Sequence, residues 1–493
     1  MSRNWTAAIA LAATGLVSSA AFAQNAATVI GNASQAMGVN GLNSITYYGS
    51  GANFNLGQNN NANYPWPRVN LNDYRRTIDF TGPSSLATAV TFGVPVTGGP
   101  AAQNAFTQNI TPANAVPYRT WAQQLEIWIT PWGFLKGAAN NNATVRGRSI
   151  DGERFNVVSW NSPIIAPSGA PYRLVGYINS DNLVTKVETW LENPIFGDML
   201  VEASYSDYRD NNGLKYPAAI VQKRGGWPTF DAQILGAHAN PQNLAQLMTP
   251  PAPPAGAGGP PPGAGPGAAP PAAASELLAS GVYRITGGYV ALAVEFNDHI
   301  LLFEPAGQNE ARAQAIIAEA KRVIPNKPIR YGVLSHHHFD HTSGLPAVVA
   351  EGITIVTSEV NKEFFENALS APRSLAPDAM ARSGKEAVIE TVGDKRVFTD
   401  GTHTVEIHAI KGLPHADGML VAYLPRERII AYADMFNLPT ANNPVPNPPV
   451  VGTQVFVENL ERLGLDYETV ISVHAPNPDR PITRRDILAS LGR

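Results

Sequence analysis

The residues best suited to chemistry lie in one short segment, His336–His341, with the sequence HHHFDH. It follows the apolar run Ile329–Ser335, which predicts a buried strand. In an extended chain, residues two apart project to the same side, so His336 and His338 can face one metal ion. His337 points away and is expected either to pack or to support the ligands from outside. A turn after the strand would direct the final Asp-His pair towards a second ion. Imidazole and carboxylate ligands together suit zinc or another borderline divalent ion.

The pattern HxHxDH directly after an apolar strand resembles the signature of the metallo-β-lactamase superfamily of hydrolases. The resemblance covers residues 280–493 and implies an α/β fold, an αβ/βα sandwich, consistent with the helical periodicity of Gln308–Val323. Members of that family carry three further ligands downstream, beside strands. The sequence offers a candidate for each in the expected order: His415 in GLPHADG, Asp434 at the end of IIAYAD, and His474 at the end of VISVH.

The resemblance implies a site for two divalent metal ions, with Zn²⁺ the expected ion. Carried over position by position, the first ion would be held by His336, His338 and His415, and the second by Asp340, His341 and His474, with Asp434 bridging. Two such ions lower the pKa of a bound water towards about 7 and polarise the substrate oxygen. Asp340 is the predicted catalytic acid or base. The remaining histidines lack a ligand pattern and are expected to be structural or solvated: His238, His299, His403 and His408.

Departures from the family pattern narrow the expected chemistry. The chain has no Cys, which excludes the β-lactamases that use a Cys ligand. Those with only His and Asp ligands usually lack the bridging acid, so Asp434 favours esterases, lactonases, thioesterases and phosphodiesterases. His338 stands where the oxygen-reducing di-iron relatives carry Glu, which argues against a function of that kind. Glu304 replaces the usual Asp at the end of an early strand, so its contact with the site is expected to be longer or altered.

Composition restricts the partners and the compartment. A net charge of −4 without runs of Lys or Arg argues against nucleic acid as a partner. Residues 1–23 resemble a bacterial-type signal peptide, with Arg3, the apolar run Ala7–Val17 and the cleavage site Ala21–Ala23. The sequence therefore predicts an exported protein, periplasmic or secreted. After residue 23 no run reaches the roughly 18 apolar residues of a transmembrane helix.

A Pro/Gly/Ala-rich linker, residues 249–275, is expected to tether two folded units, because it has no charged or aromatic residue with which to form a core. The predicted units are residues 24–248 and residues 276–493. Before the linker, short β-branched and aromatic runs, among them Gln123–Thr130, predict a mainly antiparallel sheet. Residues 24–75, rich in Asn, Gly and Ala, are expected to be loop or partly ordered.

The first unit also resembles, through the segments Gly176–Ile178 and Lys215–Pro217, the curved half-barrel sheets of bacterial lipoprotein carriers. That resemblance implies a concave apolar surface for a lipid or another hydrophobic ligand. The alternative is a closed-core sheet that acts as a spacer or a dimerisation unit. The sequence does not determine the oligomeric state.

Two classes of function follow. The first is an exported dinuclear hydrolase that acts on an ester, lactone, thioester or similar bond of a small molecule, with β-lactam hydrolysis as an alternative. The second is a binding protein for a hydrophobic ligand, in which the metal domain has a supporting role. The segment 351–405, which carries Phe364, Phe365, Pro372 and Leu375, is expected to shape the mouth of the pocket.

Overall fold

The computed structural model describes residues 25–93, 102–110, 117–252, 272–439, 449–476 and 478–493. The predicted signal segment and residues 253–271 of the predicted linker lie outside these ranges. The described chain forms a sheet unit (residues 25–252) and a layered unit (residues 272–493). Among the described helices, none has both the length and the apolar character needed to cross a bilayer.

The sheet unit consists of one large antiparallel sheet, and three of its helices pack into the apolar core on one face. Its described helices are α1 (Ala26–Ala36), α2 (Pro117–Trp128), α3 (Pro131–Asn140) and the single turn α4 (Leu244–Leu247). Its strands are β1 (Ser44–Phe54), β2 (Arg68–Asp79), β3 (Ser84–Gly93), β4 (Ala102–Ile110), β5 (Thr144–Ile150), β6 (Glu153–Ile165), β7 (Pro171–Ile178), β8 (Val184–Asn193), β9 (Gly197–Asn211), β10 (Leu214–Arg224) and β11 (Trp227–Ala239).

The eleven strands follow the order β4-β3-β2-β1-β11-β10-β9-β8-β7-β6-β5, and the ladders are antiparallel throughout. Strand β1 pairs with β11, so the first and last strands of the unit are neighbours. The prediction of a mainly antiparallel sheet is therefore confirmed.

Two local predictions in this unit were wrong. The expected strand Gln123–Thr130 lies mostly in helix α2, whose buried Trp121 and Leu125 are four residues apart and so share one helical face. The segment 24–75, expected to be loop or partly ordered, contains α1, β1 and most of β2. Helix α1 forms because Asn25 caps its N-terminus through a hydrogen bond to the amide of Ala27.

The chain's own aromatic side chains fill the face of the sheet that carries the helices. Trp121 stacks on Tyr172, with ring centroids 5.3 Å apart, and both are fully buried. Trp132 of α3 is also buried and donates its indole N–H to the carbonyl oxygen of Lys215, at 3.0 Å. This packing fits the alternative of a closed core, and the hydrophobic-ligand surface remains a prediction.

The layered unit contains two sheets. The seven-stranded sheet comprises, in spatial and chain order, β12 (Ala274–Ala279), β13 (Val282–Thr286), β14 (Ala291–Glu295), β15 (Ile300–Phe303), β16 (Ile329–Val333), β17 (Thr354–Ser358) and β18 (Ile389–Val392). The six-stranded sheet comprises β19 (Lys395–Thr399), β20 (Thr404–Ile410), β21 (Met419–Leu424), β22 (Ile429–Tyr432), β23 (Thr469–Ser472) and β24 (Ile482–Thr483).

Helices cover the outer faces of both sheets. They are α5 (Glu310–Val323), α6 (Phe339–Thr342), α7 (Leu345–Glu351), α8 (Lys362–Leu369), α9 (Ala379–Ser383), α10 (Val451–Arg462) and α11 (Arg484–Ser490), with a 3₁₀ turn at Glu359–Asn361. One apolar core lies between the sheets, a second under α5, α7 and α8, and a third under α10 and α11. This four-layer arrangement confirms the predicted αβ/βα sandwich.

The two units are joined by buried polar contacts. Asp198 of the sheet unit accepts a hydrogen bond from the backbone N–H of Leu375, at 2.9 Å, and Leu375 itself packs into the core of the sheet unit. The buried Arg373 donates to the carbonyl oxygen of Ile195, at 2.8 Å, and pairs with Asp378. The segment expected to shape a pocket mouth thus docks the layered unit onto the sheet unit.

Replacing Arg373 with Met should lower the melting temperature by several degrees, because the substitution leaves the carboxylate of Asp378, only 15% exposed, without its cation and removes the buried hydrogen bond to the carbonyl oxygen of Ile195. Loss of one partner of a buried pair costs about 3–5 kcal/mol. Differential scanning calorimetry measures the effect. The matched control is Arg382→Met, whose guanidinium pairs with Glu310 but is largely exposed, and there a change of about 0–1 kcal/mol is expected. Equal melting temperatures for the two variants would contradict the role of Arg373.

Candidate metal centre

The seven side chains predicted to ligate metal converge in two groups. Within each group, one possible donor atom from every member lies within 4.8 Å of those of the others. The first group is His336, His338 and His415, and the second is Asp340, His341, Asp434 and His474. The structure therefore brings all seven together, in the grouping that the family resemblance implied. Their roles as ligands remain a prediction.

Strand ends and loops of both sheets position these residues. Strand β16 ends at Val333, so the histidine run lies in the irregular segment that follows the strand rather than on it. His336 and His338 nevertheless share a side, with ring centroids 4.5 Å apart. Asp340 and His341 lie in helix α6, His415 lies in the loop between β20 and β21, and Asp434 and His474 follow β22 and β23.

In the first group, neighbouring hydrogen bonds fix which nitrogen of each ring faces the others. Nδ1 of His336 lies 2.9 Å from the hydroxyl oxygen of Ser335, and its Nε2 lies 3.3 Å from Nε2 of His415. Nε2 of His338 lies 3.0 Å from the carbonyl oxygen of Asn59, which can only accept a hydrogen bond. The proton of His338 is therefore on Nε2, and the buried Nδ1 has no hydrogen-bond partner in the described chain.

In the second group, Asp434 lies at the centre. Its Oδ2 is 2.7 Å from Nε2 of His341, and its Oδ1 is 2.8 Å from Nε2 of His474. The same Oδ2 lies 3.4 Å from Nε2 of His336 and 3.5 Å from Nε2 of His415. One carboxylate thus reaches both groups, as a bridging ligand would.

Glu304, whose contact with the site was expected to be longer or altered, is a direct hydrogen-bond partner of His341. It is fully buried, and its carboxylate accepts a hydrogen bond from Nδ1 of His341, at 2.6 Å, and another from the backbone N–H of Ser335. The left-handed backbone at Glu304, with φ +62°, turns this longer side chain back towards the histidine. A hydrogen bond at Nδ1 leaves Nε2 of His341 to face Asp434.

Sequence reasoning missed two partners of Asp340. Tyr289 donates its hydroxyl to Oδ2 of Asp340, at 2.9 Å, and its ring lies edge-on to His474. Gln58 donates its side-chain amide to Oδ1, at 2.8 Å. Tyr289 has no motif that separates it from an ordinary core tyrosine. Gln58 belongs to the segment expected to be loop or partly ordered, and its place in a run of four amide side chains is the only sequence signal that marks it.

Burial and charge set the protonation of the centre. Burial lowers the pKa of His338 to about 3 and that of His337 to about 4, so both rings are neutral at pH 7. Burial alone would raise the pKa of Asp434, but hydrogen bonds from His341, His415 and His474 hold it far below its usual range. Neutral imidazoles and ionised carboxylates are the forms that bind metal.

The donor set of imidazole nitrogens and carboxylate oxygens fits divalent metal binding. Two pairs of ring nitrogens face each other, His336 with His415 and His341 with His474, at 3.3 and 3.2 Å. Such short contacts are stable only with a proton or a cation between the two lone pairs. Burial lowers the pKa of His341, but the negative charges of Glu304, Asp340 and Asp434 raise it well above its usual value, because they favour a cation at this position.

The four histidines without a ligand pattern lie away from both groups. Their ring nitrogens contact other protein atoms: His238 contacts Asn211, His299 contacts Asp298, His403 contacts the carbonyl oxygen of Ser280, and His408 contacts Glu406. Within the described chain, none of the four is part of a metal-binding group.

A sequence comparison identifies the family that the layered unit matches. Residues 286–474 match the sequence model of the Metallo-beta-lactamase superfamily. A search of curated proteins gave no significant match. Among solved structures, the chain is similar to a metallo-β-lactamase from Pontibacter korlensis, with 18% identity, a TM-score of 0.33, and coverage of 45% of this chain and 97% of that chain.

Two further solved structures show comparable similarity. One is a metallo-β-lactamase from Hirschia baltica, with 20% identity, a TM-score of 0.34, and coverage of 45% of this chain and 96% of that chain. The other is rubredoxin oxygen:oxidoreductase from Desulfovibrio gigas, with 17% identity, a TM-score of 0.35, and coverage of 44% and 61%. From the sequence match, the layered unit is a domain of the metallo-β-lactamase superfamily, and therefore a metal-dependent hydrolase domain.

Replacing Glu304 with Gln should weaken metal binding about 10–100-fold, as expected when the partner of a metal-bound histidine is lost. The amide keeps the shape of the side chain but removes the charge opposite Nδ1 of His341. Zinc affinity is measured by competition with a chelating dye. The matched control is Asp298→Asn, which removes an exposed carboxylate beside a non-ligand histidine. Wild-type affinity in Glu304→Gln would show that this contact does not orient the ligand.

Proposed function

We propose that the protein is an exported dinuclear-metal hydrolase, with zinc as the preferred ion, that cleaves an ester, lactone, thioester or similar bond of a small molecule. The observation that carries the proposal is the carboxylate of Asp434, which lies within 3.5 Å of ring nitrogens from both histidine groups. An acid in that position supports two ions rather than one. Export is supported by the signal-like sequence of residues 1–23.

When bound, two divalent ions would lower the pKa of a coordinated water and polarise the oxygen of the scissile bond. The protein's own contribution is to hold the acid-base group beside that water. Asp340 receives hydrogen bonds at both carboxylate oxygens, from Gln58 and from Tyr289. These bonds fix the carboxylate plane. Burial raises the pKa of Asp340, but His341 holds it below its usual range, with smaller contributions from Gln58 and Tyr289. Asp340 is therefore ionised at neutral pH and can accept a proton.

The accessible side of the centre is defined by the exposure of its members. The side chains of Asp340 and His474 are 36% and 32% exposed, whereas those of His336 and His341 are fully buried. A substrate therefore approaches over Asp340 and His474, beside the hydroxyl of Tyr289.

Replacing Asp340 with Asn should lower kcat/KM by about 10²–10⁴-fold, the usual contribution of a positioned acid or base. Asn keeps the shape of the side chain but cannot take a proton from water. The test is the steady-state rate on whichever substrate is cleaved, with bound metal quantified in the same sample. The control is Asp400→Asn, an aspartate whose partners are the backbone amides of its own turn and of Asn297. An Asp340→Asn enzyme with full activity would exclude Asp340 as the acid-base residue.

Removal of metal should abolish hydrolysis, and added zinc should restore it. The measurement combines elemental analysis of the purified protein with a substrate screen before and after dialysis against a chelator. Lactone, thioester, simple ester, phosphodiester and β-lactam substrates form the screen, and acyl bonds outside β-lactams are expected to be cleaved. Activity that survives complete metal removal would contradict the proposed function. Cleavage of the β-lactam alone would instead support a dedicated β-lactamase.

A further inference from the structure

Four consecutive amide side chains of the sheet unit lie against the metal centre of the layered unit. They are Gln58, Asn59, Asn60 and Asn61, here called the amide loop, in the connection between β1 and β2. We propose that the amide loop is a positioning element of the metal centre, which holds His338 and the segment carrying His415 in their ligating geometry. This inference rests on the proposed function, because it assumes that the two histidine groups bind metal.

The first contact is with the segment His336–His341. The carbonyl oxygen of Asn59 lies 2.8 Å from Nε2 of His337 and 3.0 Å from Nε2 of His338. Since a carbonyl only accepts, both rings carry their proton on Nε2. This leaves the lone pair of Nδ1 of His338 free to face His336 and His415. A backbone atom of the other unit thus selects the tautomer of a predicted ligand, a role that outer partners of metal-bound histidines commonly have.

The second contact is with the loop that carries His415. The backbone N–H of Asp417 donates to the carbonyl oxygen of Asn60, at 2.6 Å, and the side chain of Asn60 donates to the carbonyl oxygen of Pro414, at 3.2 Å. The side chain of Asn61 donates to the carboxylate of Asp417, at 3.1 Å. The residues on both sides of His415 are therefore tied to the amide loop. The loop bridges the two segments that supply the first group.

The amide loop is itself held rigidly. The side chain of Asn59 is buried and donates to the carbonyl oxygens of Asn61 and Tyr64, at 2.6 and 3.0 Å. Trp66 anchors the end of the connection, because its indole N–H donates to the carbonyl oxygen of Arg224. Its ring also packs edge-on against Phe339, the residue between the predicted ligands His338 and Asp340 in the sequence. The contact between the amide loop and the histidine segment is therefore supported by hydrogen bonds and ring packing within the sheet unit.

Gly57 shows how closely the two units fit. Its φ of +79° is in the left-handed region, and a Cβ on this residue would lie 2.2 Å from the ring of Phe339. Its carbonyl oxygen also accepts a hydrogen bond from the backbone N–H of Phe339, at 3.1 Å. Any larger residue at position 57 must displace either the ring of Phe339 or the amide loop.

The experiment compares zinc affinity and the visible spectrum of the cobalt(II)-substituted full chain in three variants. Gly57→Ala displaces the ring of Phe339 or the amide loop, and the double variant Asn60→Ala/Asn61→Ala removes the side-chain bonds to the His415 loop. The matched control, Asn63→Ala, changes an exposed amide of the same connection. We expect both test variants to lose about 10–100-fold in zinc affinity and to change the cobalt spectrum, whereas the control matches the wild type.

Zinc affinities within twofold of wild type and an unchanged cobalt spectrum in the double variant would overturn the inference, even if Gly57→Ala does not fold. The double variant alters exposed or half-buried side chains, so its folding can be verified by circular dichroism. If the wild-type protein binds two zinc ions and the double variant gives the same affinity and spectrum, the positioning role is rejected. The proposed function is then still supported. A wild-type protein that binds no zinc would reject both.

Discussion

The carboxylate of Asp434 is the interaction on which the rest of the centre depends. It lies between four imidazole rings, and its backbone adopts the left-handed φ of +56° that places it there. Three carboxylates, from Glu304, Asp340 and Asp434, surround the buried His341. Burying so much negative charge is costly without a compensating cation. Two divalent ions would supply that charge, and the strained conformation of Asp434 is consistent with a functional site.

The second constraint is that the centre is built from two units. The layered unit supplies every predicted ligand, whereas the sheet unit supplies the amide of Gln58 and the carbonyl oxygen of Asn59. Buried contacts elsewhere in the interface, such as Arg373 with the carbonyl oxygen of Ile195, fix the relative position of the units. The sheet unit is therefore more than a spacer at the end of a linker, because its β1–β2 connection lies against the predicted ligands.

The sequence predicted the layered unit and the convergent residues well, because metal ligands are specified by short local patterns at strand ends. It predicted less of the sheet unit. Gln123–Thr130 has the composition of a strand, but Trp121 and Leu125 bury one helical face against the sheet. Partners such as Tyr289 and Asn59 reach the site only through tertiary contacts. Asn59 contacts His338 through its backbone carbonyl oxygen, which every residue type has, so the sequence could not identify it. Only the three-dimensional arrangement could reveal them.

The most direct test of a two-metal centre bridged by Asp434 is anomalous X-ray scattering from crystals of the zinc-loaded protein. The account predicts two zinc peaks, one among His336, His338 and His415 and the other beside Asp340, His341 and His474, with the carboxylate of Asp434 in contact with both. A single zinc peak, or zinc bound away from these seven residues, would contradict it.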